Sequence, residues 1–194
     1  MLNKNIKKLL FYSLFLFILL SCKQIDTLNK TVFNTNQLIN ITINAENKKI
    51  INLYEPQYIN PYIDHSLLKT PKDFLYEWFE SNINVFGTEN NLEINIIDAS
   101  LKRTEIPNLT EKKHIEKIIF FYEVSFLVEY ILYDDSNLIL ANSIVDSKRS
   151  ITSSRRISLN QSESIINSLI INCIIDLSKK SEDLINIYMS KFIL

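Results

Sequence analysis

Few residues of this 194-residue chain could do chemistry: two cysteines, two histidines and some paired charges. Cys22 directly follows an apolar run ending in the small Ser21, and Cys173 stands in a second apolar stretch. A thiol can serve as nucleophile, metal ligand or attachment point, and each use needs different neighbours. His65 and His114 have no second potential ligand at metal spacing. Zinc needs three or four convergent ligands, so no metal site is expected. With a single glycine, Gly87, no phosphate-cradling loop can form. The pairs Asp134-Asp135 and Glu182-Asp183 lie in polar surroundings that read as a turn and a helix surface. Glu123 and Glu129 share one strand face but sit roughly 20 Å apart, too far to act as a carboxylate pair. This inventory implies neither a cofactor nor an enzyme; the alternative, a hydrolase, would need a pocket with convergent ionisable groups.

Lys148-Arg149 and Arg155-Arg156 are the best polar cluster, set among Ser and Thr between an expected strand and the start of an expected helix. Such a place could hold an anionic ligand, a lipid head group or an acidic partner. The plainer reading is a solvated loop. Nothing points to nucleic acid, because the formal charge is -1 and the basic residues form no aromatic-interleaved stripe. The richness in Ile, Asn and Lys reads as the mark of an AT-rich genome.

The first 22 residues have their own pattern. Lys4, Lys7 and Lys8 are followed by Leu9 to Leu20, apolar except for Ser13. That is the length of a signal-peptide core and short of the roughly 20 residues a membrane span needs. Leu19-Leu20-Ser21-Cys22 resembles the lipobox of bacterial lipoproteins. The resemblance implies cleavage before Cys22, a diacylglyceryl thioether on its sulfur and an acylated (palmitate-type) amino terminus. Residues 1–21 would then be the signal peptide, and the mature charge would be about -4 once the three lysines are removed. In the enteric version of this family an Asp after the Cys retains the protein in the inner membrane. Lys23 there implies an outer-membrane address, facing the periplasm. With Cys22 acylated, Cys173 has no partner for a disulfide and reads as a small buried hydrophobe.

The elements that would position any site follow in order. Residues 22–37 are polar and read as a lipidated tether, leaving 38–194 as one domain. Leu38 to Asn44 alternates as a half-buried strand, Glu46-Asn47-Lys48 makes a turn, and Lys49 to Tyr54 is a second strand. Pro56 and Pro61 bracket an edge segment or covering loop. Thr70 as N-cap and Pro71 at the first position open a helix whose apolar face runs from Phe74 through Trp78 to Phe86, with Gly87 as its C′ residue. Leu92 to Leu101 forms a strand whose phase slips at Ile96-Ile97, so a bulge is expected there. Ile115 to Tyr133 and Leu138 to Ile151 form two more strands around a turn at Asp134 to Asn137. Ser158 with Gln161 opens a long last helix that runs through Phe192. The order β-β-α-β-β-β-α predicts an α+β domain after the signal helix: an antiparallel sheet of about five strands with both helices on one face.

That order and hydrophobic pattern resemble two groups of envelope lipoproteins. One is the auxiliary lipoprotein of ABC-type lipid transporters, and the other is the lipopolysaccharide-assembly lipoprotein that plugs an outer-membrane barrel. The resemblance implies a non-catalytic binding or assembly role with a transporter or outer-membrane protein as partner, and it carries over no binding residue. The alternative is a structural or lineage-specific surface lipoprotein with no transport partner.

Overall fold

The computed structural model describes residues 33–109 and 116–194. The expected signal peptide, Cys22, most of the tether and His114 therefore lie outside the described residues. Among the described residues six strands and two α-helices follow one another: β1 (Ile41–Ile43), β2 (Asn47–Asn52), α1 (Pro71–Asn82), β3 (Ile83–Val85), β4 (Asn91–Pro107), β5 (Ile118–Tyr133), β6 (Ile139–Ser154) and α2 (Leu159–Tyr188). They make an α+β fold with a four-stranded sheet, ordered β2-β4-β5-β6, and a separate β1-β3 pair.

Strands β4, β5 and β6 form an antiparallel meander, as their patterns predict. The register slips between Ile96 and Asp98, where the phase of the sequence slips. That bulge keeps Leu92, Ile94 and Ile96, and then Ala99 and Leu101, buried on one face. On the same face β5 buries Tyr122, Val124, Phe126, Val128 and Tyr130. The turn after β5 also forms as read: Asp134 Oδ1 accepts the Ser136 and Leu138 amides at 2.8 Å, and Asn137 takes φ 62°.

The expected antiparallel hairpin of the first two strands is not there. β1 pairs in parallel with β3, and β2 pairs in parallel with β4, so the sheet is mixed. The α1 crossover causes this, since a strand reached through a helix returns in the same direction. The first helix also ends four residues earlier than its apolar stripe suggests. Lys48 Nζ, from the core face of β2, donates to the Phe79 and Ile83 carbonyls at 2.9 Å each. Asn82 Nδ2 donates to Asn40 Oδ1 at 2.7 Å and to the Leu38 carbonyl at 3.3 Å. Lys48 thus serves carbonyls at the helix end while the Asn82 side chain ties that end to the chain upstream, and β-branched Ile83 leaves directly into a strand beside Ile41. Phe86 is consequently 77% exposed rather than core. Gly87 is not a left-handed cap, because no glycine here has positive φ. It allows a close approach instead: a Cβ there would meet Asn44 Oδ1 at 2.3 Å and the Ala45 nitrogen at 3.0 Å.

Both helices pack on one face of the large sheet, as expected. Each opens with a capping box, Thr70 with Asp73 and Ser158 with Gln161. α2 is a single helix of 30 residues. The polar gap in its stripe is part of the packing: Ser178 and Ser181 are buried, and Ser181 Oγ lies 3.0 Å from the Tyr130 hydroxyl. Phe79 reaches the same tyrosine from α1, edge-on at 6.3 Å, and Trp78 packs against Phe79 with centroids 4.8 Å apart. β6 is one of the sheet's two outer strands, and among the described residues nothing pairs with its far side. Lys180 of α2 donates to the Asp146 main-chain oxygen on this strand at 2.9 Å.

Two measurements test this core. Trp78→Ala removes a fully buried indole and should lower unfolding free energy by about 3–5 kcal/mol in urea titration. An unchanged midpoint would place the ring outside the core. Lys48→Met should cost about 1.5–3 kcal/mol by leaving helix-end carbonyls without a charged donor. Stability equal to the parent chain would mean that water replaces the ammonium there.

Candidate functional site

A groove of about 820 Å³ lies between the first turns of the two helices, closed on one side by residues 63–69. Its volume lies in the range of small-molecule sites. The helix starts position it: the Thr70 cap aims Phe74 into the floor, and the Ser158 cap aims Ser162 and Ile166 at it from the other side. Phe33, the first described residue, packs edge-on against Phe74 with centroids 5.3 Å apart. Ile63 and Leu67 complete the apolar wall, while Leu68 and Leu159 stand at the rim.

Four charged side chains line this groove, and they are unequal. Lys69 is paired with Glu77 and lies 4.1 Å from the Phe74 centroid. Glu163 comes from the first turns of α2. Arg103 lies over the Phe120 ring at 4.8 Å and has no carboxylate partner among the described residues. The arrangement can hold an elongated amphipathic molecule, with an apolar body along Phe74 and Ile166 and a polar end at Arg103. It offers no nucleophile with an adjacent base. Sequence reading missed the groove because its wall comes from residues 63–69, between the Pro-bracketed segment and the first helix, whose apolar residues show no period. The single available signal was Leu67-Leu68 standing outside any amphipathic pattern.

The four basic residues singled out from sequence do not form one cluster. Lys148 and Arg149 lie within β6, not in a loop after it, and so point to opposite faces of the sheet. On the open face Lys148 Nζ pairs with Glu123 at 2.9 Å. On the helix face Arg149 grips Asp176 of α2 through two bonds, with Nη2 to Oδ1 at 3.0 Å. The arginine's hydrogen bond holds the Asp176 carboxyl below the ordinary carboxylate range and raises the arginine in turn. Arg155, at the far end of the strand, meets Glu105 at 3.3 Å and lies 5.7 Å from the Phe120 ring. Its amide and the Ser154 hydroxyl donate to Glu116. Arg156 has no ion pair among the described residues, and its amide donates to Ser154 Oγ at 3.1 Å. Arg155 thus shares the Phe120 ring with Arg103 of the groove, while Lys148 and Arg149 lie elsewhere on the sheet.

Other candidates are structural. Cys173 is fully buried, its thiol pushed up to about 11 by burial, and Ser147 Oγ lies 3.3 Å from its sulfur. His65 is a loop residue whose Nδ1 lies 3.1 Å from the Gln57 carbonyl. Buried Asp64, not singled out from sequence, accepts from the Tyr54 hydroxyl at 3.0 Å, and its Oδ1 has no partner. Burial, then that carboxylate, pushes the Tyr54 hydroxyl far above its usual range. Among the described residues no group of three or more His, Cys, Asp or Glu could hold a metal ion, and no helix is long and apolar enough to cross a membrane.

No protein-family model and no curated protein sequence matches the chain. Among solved structures it is similar to a minor lipoprotein from Acinetobacter baumannii, with a TM-score of 0.40 and 8% identity, over 77% of this chain and 96% of that one. At that distance the likeness bears on neither activity nor site residues.

The Asp176 pairing gives a pH signature. Its folded pKa lies below the unfolded value, so the stability it adds is present above about pH 4 and is lost as pH falls through the folded value. Asp176→Asn should therefore lower stability by about 0.5–1 kcal/mol at pH 7, with parent and variant converging as the medium is acidified. A difference that stays constant from neutral to acid pH in urea titration would show that the charge is not what Asp176 contributes.

Proposed function

We propose that the chain is a membrane-anchored envelope lipoprotein whose domain works by binding and not by catalysis. The observation that carries this reading is the run from Lys4 to Cys22: a basic start, a twelve-residue apolar core and Leu-Leu-Ser-Cys. The fold supports the second half of the reading. The groove offers an apolar floor and one unpaired guanidinium, which suits an amphipathic ligand such as an envelope lipid. Transport or assembly of such a lipid, with a transporter subunit or an outer-membrane barrel as partner, is the finer form of the proposal. Lys23 after the acylated cysteine favours the outer membrane.

Cys22→Ala tests the anchor. The variant should accumulate as uncleaved precursor that takes up no labelled palmitate, while the parent gains acyl mass at residue 22. Normal processing of the variant would overturn the lipoprotein reading. The same preparation reports the partner: acylated protein extracted in mild detergent should carry a stoichiometric lipid, a transporter subunit or a barrel. Its recovery alone would favour a free-standing surface lipoprotein.

A further inference from the structure

Exposed large apolar side chains gather around the groove mouth. Leu68 is 102% exposed and Leu159 88%, and they stand on opposite sides of the opening. Tyr58, 77% exposed, lies 5.0 Å from the His65 ring, next in the chain to groove-lining Ser66, and Ile59 beside it is 68% exposed. Single exposed leucines are ordinary on a protein surface, and it is their grouping with Tyr58 and Ile59 about one opening that makes this end a candidate contact surface. A second set starts with Leu138 and Ile139 at the opposite end of β6 and continues along that strand through Leu140, Ile144 and Ile151, the strand having 16 residues and so a length of about 50 Å. Exposure alone does not choose between the two ends.

The tether does. The described chain begins at Phe33, which forms part of the groove wall. Ten residues separate it from Cys22, so the two lie at most about 40 Å apart when the chain between them is fully extended. Any membrane holding the Cys22 lipid is therefore within one tether length of the groove. The groove end is also where Arg103 and Arg156 lack carboxylate partners among the described residues, and Tyr with basic side chains is the usual company of an interfacial surface.

We infer that the groove end of the domain is a bilayer-docking face: Leu68 and Leu159 enter the interfacial layer while Arg103 and Arg156 meet lipid phosphates, so that the groove opens onto the membrane. This rests on the lipoprotein reading and adds an orientation to it. An upright, lipid-facing groove can take up or release an acyl chain without exposing it to water.

The test uses the full acylated protein reconstituted in phosphatidylethanolamine–phosphatidylglycerol vesicles. Cysteine is introduced singly as Leu68→Cys, Leu159→Cys, Tyr58→Cys or Leu138→Cys and labelled with an environment-sensitive fluorophore. Cys173 is buried and does not compete for label. Native Trp78 emission reports whether each labelled chain is folded, and three probes at the groove end guard against loss of any one. Interfacial side chains sit about 5–10 Å into the head-group boundary. Probes at 68, 159 and 58 should thus shift to the blue and lose fluorescence to a nitroxide carried high on a lipid chain, with none of this at 138. Arg103→Gln with Arg156→Gln should weaken the quenching. Equal quenching at both ends, or stronger quenching at 138, overturns the orientation while leaving the anchor intact. Absence of acyl mass on Cys22 overturns the anchor itself, and the docking face with it.

Discussion

The ammonium of Lys48 sits where β2, the end of α1 and the start of β3 meet, and its two bonds to the Phe79 and Ile83 carbonyls tie these elements together. Lys48 occupies a core-face position beside Leu92 in the β2–β4 register, where an apolar residue would be the simpler choice. A lysine there is tolerable because its stem lies on apolar surface and its charge meets the negative end of a helix that has no basic residue in its own last turn. The bond stops α1 at Asn82. Because the helix stops there, Ile83 to Val85 are free to pair with β1, and the chain re-enters the large sheet beside β2 as β4. Both parallel pairings depend on that one stop.

The rest of the domain rests on local signals that agree with one another, and these were legible in the sequence. Both capping boxes, the Asp134 turn, the bulge after Ile96 and the unbroken last helix all follow from residues close together in the chain. What was not legible came from far apart. The end of α1 is set by Lys48, Asn40 and Leu38, more than thirty residues upstream, so a helical stripe continuing to Phe86 gave the wrong boundary. Strand direction failed for the same reason: β1 and β2 look like a hairpin when read together, and each finds its partner beyond the helix. Gly87 shows how a correct emphasis can carry the wrong reason, since it supplies space beside Asn44 and not a backbone angle.

The candidate site divides in the same way. The basic residues were visible as residues, but their roles depend on strand parity and on what lies across from them. Neighbours Lys148 and Arg149 face opposite sides, one against Glu123 and the other clamping the last helix through Asp176. Arg103 carried no signal at all, since it is one residue in a strand of seventeen. The stacked Phe120 ring and the groove give it meaning, and those appear when β4, β5 and the helix starts are brought together.

The open side of β6 has a consequence for life in a crowd. Wherever copies of a chain are crowded, a sixteen-residue strand edge without proline or glycine is a template for annealing copy onto copy. Lys180 occupies the Asp146 main-chain oxygen, and the alternation of Asp146, Lys148 and Arg149 places charge at the middle of the edge. That charge works against edge-to-edge pairing of two copies, where the exposed Ile139, Leu140 and Ile144 of the same strand would favour it.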